Sequence, residues 1–313
     1  MPRRRQYGPI IPPGRDHDPE GTESLIEKAS REWRRRLRQA KDEYIAGLER
    51  IPSQEVIVNA SRYVYELWPG QIEDLGQLLD QILLEAGPED PWLWNNYVEQ
   101  SFERGTARAV KNLSRQSPAY EATRGTLKQV LSEPAYQRRV ILVRARVFEG
   151  MRGISTDAKS NMARILADGM ARGKNPRVIA EMLTKGIKLA YPRAERIART
   201  EINTALRRAR WDEGEEADRT LNLKTREVHI SALSSTTRDH HAARHGRLFT
   251  RDQVRDWFAE GVNSINCKCT TVTVMVDEKG EPLVPSTVER LVAQREIYEQ
   301  EKLREEEEEK AGR

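Results

Sequence analysis

Between Ser24 and Ala217 the apolar residues recur at helical spacing, and proline and glycine cut that pattern into separate segments. Leu25, Trp33, Leu37, Tyr44 and Leu48 make one broad stripe. They predict a helix opening at Ser24, which has capping-box spacing to Glu27, and running to about Arg50, with Pro52 as its stop. Further helices are expected over roughly 54–67, 71–86, 91–116, 119–132 and 135–150. Ser155 or Thr156 can cap a helix that runs to Arg172 and stops at Gly173. Asp90-Pro91 and Asn175-Pro176 each put a capping residue before a proline at the first helical position. The helix after Asn175 ends near Gly186, and a long one runs from Pro192 to about Ala217 with Ile197, Ile202, Leu206 and Trp211 on it.

After Gly214 the pattern changes. Residues 224–230 and 270–276 read as short strands, the second β-branched and alternating. A short amphipathic helix at about 250–260 lies between them. Ser286 and Glu289 repeat the capping-box spacing and open a last helix that trails into the acidic run 305–309. The expected fold class is a mainly α N-terminal helical region, then a small α+β C-terminal module and a terminal helix. The corresponding divisions are a disordered or extended basic arm at 1–20, a helical region at 21–154, the module at 155–284 and the final helix with its acidic tail at 285–313.

Charged residues make up 33% of the chain and the hydrophobic set 37%, so the apolar side chains are spread over narrow helical stripes and partners are expected to supply part of the burial. Charge is uneven along the chain: residues 51–100 hold nine acids and one base, whereas residues 101–200 hold 21 bases and eight acids. That asymmetry fits a polyanion or an acidic protein partner for the basic part, or else solvated faces laced with i,i+4 pairs. Arg138 and Arg139 with Arg144 and Arg146, and Arg207 and Arg208 with Arg210, are the densest clusters and the expected phosphate contacts. Aromatics do not interleave with them, which argues against base readout or single-strand stacking. No run of about 18 apolar residues is present, so no membrane-spanning segment is expected. The Met1-Pro2-Arg3-Arg4-Arg5 start lacks the apolar stretch of a secretory signal. In a cytosol, two cysteines suggest metal binding or idle thiols rather than a disulfide.

Four of the seven His and Cys residues fall within 29 positions: His241, His245, Cys267 and Cys269. Histidines four apart share a helix face, and cysteines two apart can point the same way. Two imidazoles and two thiolates suit a structural, tetrahedral Zn2+ site. The Cys-x-Cys spacing is tighter than the usual knuckle, so thiols packed as small hydrophobes beside a polar groove, with no metal, remain the alternative. Enzymatic chemistry has less support. Ala242, Ala243 and Arg244 separate the histidines, so a His-Glu-x-x-His base is missing, and the chain has neither a phosphate-binding glycine loop nor a Ser/His/Asp set. A zinc-assisted nuclease or hydrolase could be drawn only from Arg238, Asp239, His240 and Asn266 around the same cluster.

Three stretches occur in order: Ile197-Ala198-Arg199-Thr200-Glu201-Ile202-Asn203-Thr204-Ala205, then Thr237-Arg238-Asp239-x-His241 with His245-Gly246, then Ile265-Asn266-Cys267-Lys268-Cys269-Thr270. Together they resemble the Mu F-like minor head protein domain, over about residues 155–276. Arg199, Glu201, Arg238, His241, Gly246, Asn266, Cys267 and Cys269 match its pattern. Val228-His229 stands where an aromatic often opens the first strand, and His245 where other polar residues occur. The resemblance implies a non-enzymatic, low-copy component of a tailed double-stranded DNA phage head. Such a protein would be made in the bacterial host cytoplasm and placed in the capsid interior at the portal vertex. Its implied partners are the portal protein, the major capsid protein and non-specifically bound double-stranded DNA, with no small-molecule substrate. The helical region at 21–154 would dock on portal or capsid.

Overall fold

The computed structural model describes residues 7–11, 18–58, 60–68, 70–85 and 87–311. Most of the expected basic arm, including Arg3, Arg4, Arg5, Arg15 and His17, lies outside those residues. The first helix, α1 (Glu23–Glu49), starts where the Asp18 carboxylate accepts the amide N–H groups of Thr22 and Glu23. Its stripe is buried as expected, with Trp33, Leu37 and Tyr44 almost fully enclosed.

The segment expected as a helix at 54–67 is instead an antiparallel hairpin, β1 (Ser53–Val58) and β2 (Ala60–Tyr65), with Ser53 opposite Tyr65 and Val58 opposite Ala60. The reason is local. Val56-Ile57-Val58 and Tyr63-Val64-Tyr65 are β-branched and aromatic runs, whose side chains fit a pleated surface better than a helix. The chain continues through α2 (Gln71–Leu84), a π turn (Trp94–Val98), α3 (Glu99–Gln116), α4 (Pro118–Thr123) and α5 (Leu127–Ser132). The single helix expected at 119–132 is split here, because Gly125 takes a left-handed φ of 79° and Thr126 then caps α5 with a capping box.

A further correction concerns α6 (Pro134–Ala171), one helix where two were expected. Ser155 does not cap anything; its hydroxyl donates to Asp80 at 2.6 Å, beside the Lys159–Asp80 ion pair at 2.7 Å. The boundary expected at 154/155 therefore falls inside an unbroken helix. Gly173 does end the segment, at φ 63°, with Lys174 N–H closing back on Gly169 C=O. Asn175 caps α7 (Pro176–Lys188) through Arg177 N–H, as its position before Pro176 implied. Next come α8 (Tyr191–Leu221), β3 (Thr225–Ile230), α9 (Asp239–Ala242), β4 (Leu248–Phe249), α10 (Arg251–Ala259), α11 (Gly261–Ser264), β5 (Thr270–Met275) and α12 (Pro285–Ala311). No described helix is long and apolar enough to cross a membrane.

These elements form two compact units with interleaved sequence. Residues 25–98 and 139–199 make one. There Trp33 meets Trp92 edge-on at 4.9 Å, and Arg36 reaches over the Trp92 ring to the Ile82 carbonyl. In the same unit the hairpin is pinned by Tyr63 N–H to Gly173 C=O and by the Tyr65 hydroxyl to Lys174 C=O.

Residues 1–24, 99–138 and 200–313 make the other, which carries the expected His/Cys module. Its sheet is antiparallel in the order β4-β3-β5, and Val228, Ile230, Val272, Val274, Val276 and Leu291 form a core on it. Helices α3 and α8 approach closely, because Gly105 leaves no room for a side chain: an added Cβ would sit 2.4 Å from the Leu206 carbonyl oxygen. Asn112 and Gln116 on α3 donate to the Thr273 carbonyl, and Gln116 accepts from Met275 N–H. Part of the outer edge of β5 is thereby satisfied by side chains rather than left open.

Candidate metal centre

Polar residues of α8 at Thr200, Asn203, Arg207, Arg210 and Trp211 follow helical spacing, so they line one face. That face is bonded to the turn leading into β5. The Thr200 hydroxyl accepts Asn266 N–H at 3.0 Å, Asn203 donates to Cys267 C=O at 2.9 Å, and Arg207 donates to Cys269 C=O at 2.9 Å. Further along, Arg210 donates to the Thr270 hydroxyl and Thr271 carbonyl, and the Trp211 indole N–H to the Thr271 hydroxyl. Asn266 takes a left-handed φ of 54°, a conformation its short amide side chain tolerates well. This turn aims both thiols inward, where Cys267 and Cys269 pack with Trp211, Val254 and Phe258.

His241 approaches from the one-turn helix α9. Its Nδ1 lies 3.4 Å from Cys269 Sγ and 3.5 Å from Cys267 Sγ. All three donor atoms fall within 4.8 Å of one another, and the three residues are 1–3% exposed. Tetrahedral zinc with bonds of about 2.0–2.1 Å to nitrogen and about 2.3 Å to sulfur separates N from S by about 3.5–3.6 Å. The donor spacing fits, so the cluster could hold a metal. The Cys269 amide also points at Cys267 Sγ, 3.3 Å away, a contact that favours negative charge on that sulfur. Hydrogen bonds from Cys269 and His241 hold the Cys267 thiol well below its ordinary range, whereas the Cys267 contact and burial push Cys269 up.

The expected fourth ligand is placed differently. His245 uses Nδ1 to accept Ser231 N–H at 3.0 Å, and it does not join the three-donor group. Its Nε2 is buried, and burial lowers its basicity, partly offset by the Gln294 and Ser231 contacts. His240 turns instead to the Asn263 amide at 3.2 Å.

The remaining motif residues have structural work around the cluster. Arg238 donates to the carbonyls of Val262 and Ile265 and so fixes the approach to Asn266. Gly246 takes a φ of 76°, gives its N–H to His229 C=O, and would clash at 2.8 Å with the Val292 amide nitrogen if it carried a Cβ. Arg199 and Glu201 are buried on α8.

Two of the arginines expected to meet phosphates are corrected by their burial. Arg207 is 1% exposed, under Phe258 and bonded to Cys269 C=O, and Arg210 is 5% exposed against the Glu20 carboxylate. Their groups serve the interior, where the turn carbonyls and the Glu20 carboxylate accept them. Arg208, between them, faces outward. On α6, Arg138 is exposed, while Arg139, Arg144 and Arg146 are half-buried.

Several residues escaped the sequence reading. His229 is fully buried with its ring stacked 5.8 Å from Phe258 and edge-on to Trp257, and burial holds its basicity far down. Glu227, also fully buried, accepts the hydroxyls of Thr271 and Thr273 and faces Arg251. Thr200 and Asn203 lie within the Arg-Thr-Glu run, and the polar stripe of α8 is the signal for the contacts they make.

No match was found among curated proteins or among solved structures. Residues 160–272 match the protein family described as phage Mu protein F like protein. That segment contains the Arg-Thr-Glu helix, the His241 turn and the Asn-Cys-x-Cys turn, and it is over that segment that the chain is similar to the phage Mu F-like family.

Proposed function

We propose that this chain is a minor head protein of a tailed double-stranded DNA phage, acting inside the capsid beside the portal in head assembly and in DNA packaging or delivery. The observation that carries the reading is the match over residues 160–272, joined to the bonding of Thr200, Asn203 and Arg207 onto the Asn266–Cys269 turn. The family's separated motifs thus belong to one folded assembly rather than to a chance string of residues. Portal protein and major capsid protein are the proposed partners. Mass spectrometry of purified particles tests this: the chain is expected at low copy number in full heads. Its absence from particles, with normal expression in infected cells, would refute the reading.

In this reading zinc is a structural ion held by His241, Cys267 and Cys269. When bound, the metal neutralises the thiolates and ties α9 to the turn before β5. His245 would have to shift to become a fourth ligand. The near-complete burial of all three donors favours a stabilising role over an enzymatic one.

DNA contact is assigned to Arg138, Arg139, Arg144, Arg146 and Arg208, without base readout. Arg207 and Arg210, already engaged inside the fold, are left out of that set. Such contacts position a backbone and carry a strong salt dependence.

A further inference from the structure

The hairpin of β1 and β2 has one covered edge and one bare one. Antiparallel strands exchange hydrogen bonds at alternate residue pairs. Glu66 N–H bonds to Pro52 C=O, so Gln54–Val64 and Val56–Arg62 are the next bonded pairs along the ladder. Ser53, Glu55 and Ile57 therefore turn their backbone N–H and C=O groups outward, away from β2. On β2 the same alternation turns Tyr63 outward, and its N–H is met there by Gly173 C=O. The Arg62 and Tyr65 side chains bond to the Ala171 and Lys174 carbonyls on that side, so the chain covers its own edge. Among the described residues nothing pairs with the outer edge of β1.

Exposed edges are normally defended by lysine, by proline within the strand or by a bulge. The segment Ser53–Val58 has no lysine or proline, its register is continuous, and its one charge is Glu55. Apolar side chains accompany the bare edge: Ile57 is 80% exposed, and Val56, Val64 and Leu67 are exposed as well. Val56, Val64, Leu67, Ile72 and Met170 line a cleft of about 740 Å³ beside the hairpin. Outward N–H and C=O groups at this repeat are matched by another extended backbone, whose alternate side chains would fall on the two faces.

We propose that the outer edge of β1 receives a β-strand from a partner protein, with a basic side chain opposite Glu55 and apolar neighbours set against Val56 and the cleft. Charge selects this occupant. Residues 51–100 hold nine acids and one base, and that base, Arg62, is engaged on the opposite edge of the hairpin. A second copy of the chain fits poorly. In each antiparallel two-fold register that pairs at least two of the three outward residues, Glu55 falls opposite or diagonal to its own copy, and like charges there repel. The added strand would extend the hairpin to three strands, which a lone pair of strands needs for stability. This docking edge goes beyond the proposed head role and rests on neither the zinc nor the DNA assignment.

The test uses the full chain and the peptide Thr-Val-Lys-Val-Thr-Val, carrying fluorescein at its N-terminus and an amide at its C-terminus. Anisotropy reads its affinity, and amide hydrogen exchange reads protection of Ser53, Glu55 and Ile57. Saturable binding at up to millimolar peptide is expected, with slowed exchange at those three amides. Ile57→Pro removes one outward donor and spares the bonds to β2, so the peptide should bind about tenfold more weakly at unchanged Tm. N-methylating the peptide at its lysine and the following valine blocks both of its edges and should abolish binding without touching the protein. Glu55→Lys should weaken binding by about threefold, and a peptide with glutamate in place of lysine should recover the loss. No binding at millimolar peptide, binding indifferent to Ile57→Pro and to N-methylation, or protection confined to other residues would overturn the proposal. So would self-association of the chain in sedimentation that Ile57→Pro abolishes, because a second copy would then be the occupant.

Discussion

Two groups of arginines on long helices look alike in sequence and differ in what they do. Arg207 and Arg210 on α8 are sealed inside the module, bonded to Cys269 C=O, Thr270, Thr271 and Glu20. Arg138, Arg139, Arg144 and Arg146 on α6 are exposed or half-buried. The difference comes from what the helix face meets. On α8 the spacing that sets Thr200, Asn203, Arg207 and Arg210 on one side also lays that side against the backbone of residues 266–271. Carbonyls there need donors, and a guanidinium with five N–H groups supplies them. A cluster of positive charge is therefore not evidence of a nucleic-acid surface until its neighbours are known.

The comparison can be broken most severely at Arg210. Arg210→Ala leaves Glu20 buried without its closest cation, and a loss of about 3–5 kcal/mol in unfolding free energy is expected from denaturant titration. A loss below about 1 kcal/mol would mean that Arg210 is not an interior residue. Gly246→Ala tests the same module through its backbone. The left-handed φ and the Val292 contact predict a cost of about 1–3 kcal/mol, read as a lowered Tm. On the other side of the comparison, Arg138→Gln and Arg144→Gln should each change stability by less than about 0.5 kcal/mol. They should instead reduce the salt slope of duplex binding by about one apiece.

The smallest effect concerns pH. Burial raises the Glu227 carboxyl above its ordinary value of 4.5, partly offset by Arg251 and the two threonine hydroxyls. Folding then takes up a proton between 4.5 and the raised value. The stabilising contribution of the protonated form is complete below 4.5 and is lost as pH rises through the folded value. Glu227→Gln, which cannot titrate, should flatten the pH dependence of unfolding free energy in that window. An unchanged profile would contradict the assignment.

The fold was legible where periodicity and turn chemistry agreed. The Asn175-Pro176 cap, the Gly173 stop and the alternating strand at 270–275 all follow from side-chain properties a few residues wide. The hairpin at 53–65 was misread because its apolar residues also suit a helix over a short window, and the β-branched content had to decide. Continuity of α6 through Gly150 and Gly153 was hidden for a different reason. The residues that support the helix there, such as Asp80 opposite Ser155 and Lys159, lie far away in sequence.

The metal cluster was legible in part. Residue types and order pointed to His241, Cys267 and Cys269, which do meet. His245, one helical turn on, would also have been placed at the ion by an ideal helix. The regular helix stops at Ala242, however, and the His245 ring is drawn to Ser231 N–H. Interior roles of Arg207 and Glu227 depend on tertiary neighbours and had no local signature.

Three side chains from two distant stretches, His241, Cys267 and Cys269, form the proposed zinc site inside the segment similar to the Mu F-like family. X-ray absorption at the zinc edge, on protein purified without added chelator and quantified for metal, addresses that directly. One zinc per chain with one nitrogen and two sulfur protein ligands is the predicted result, lost on Cys267→Ser. A metal-free chain that unfolds at the same temperature before and after zinc addition, with both thiols free, would contradict it.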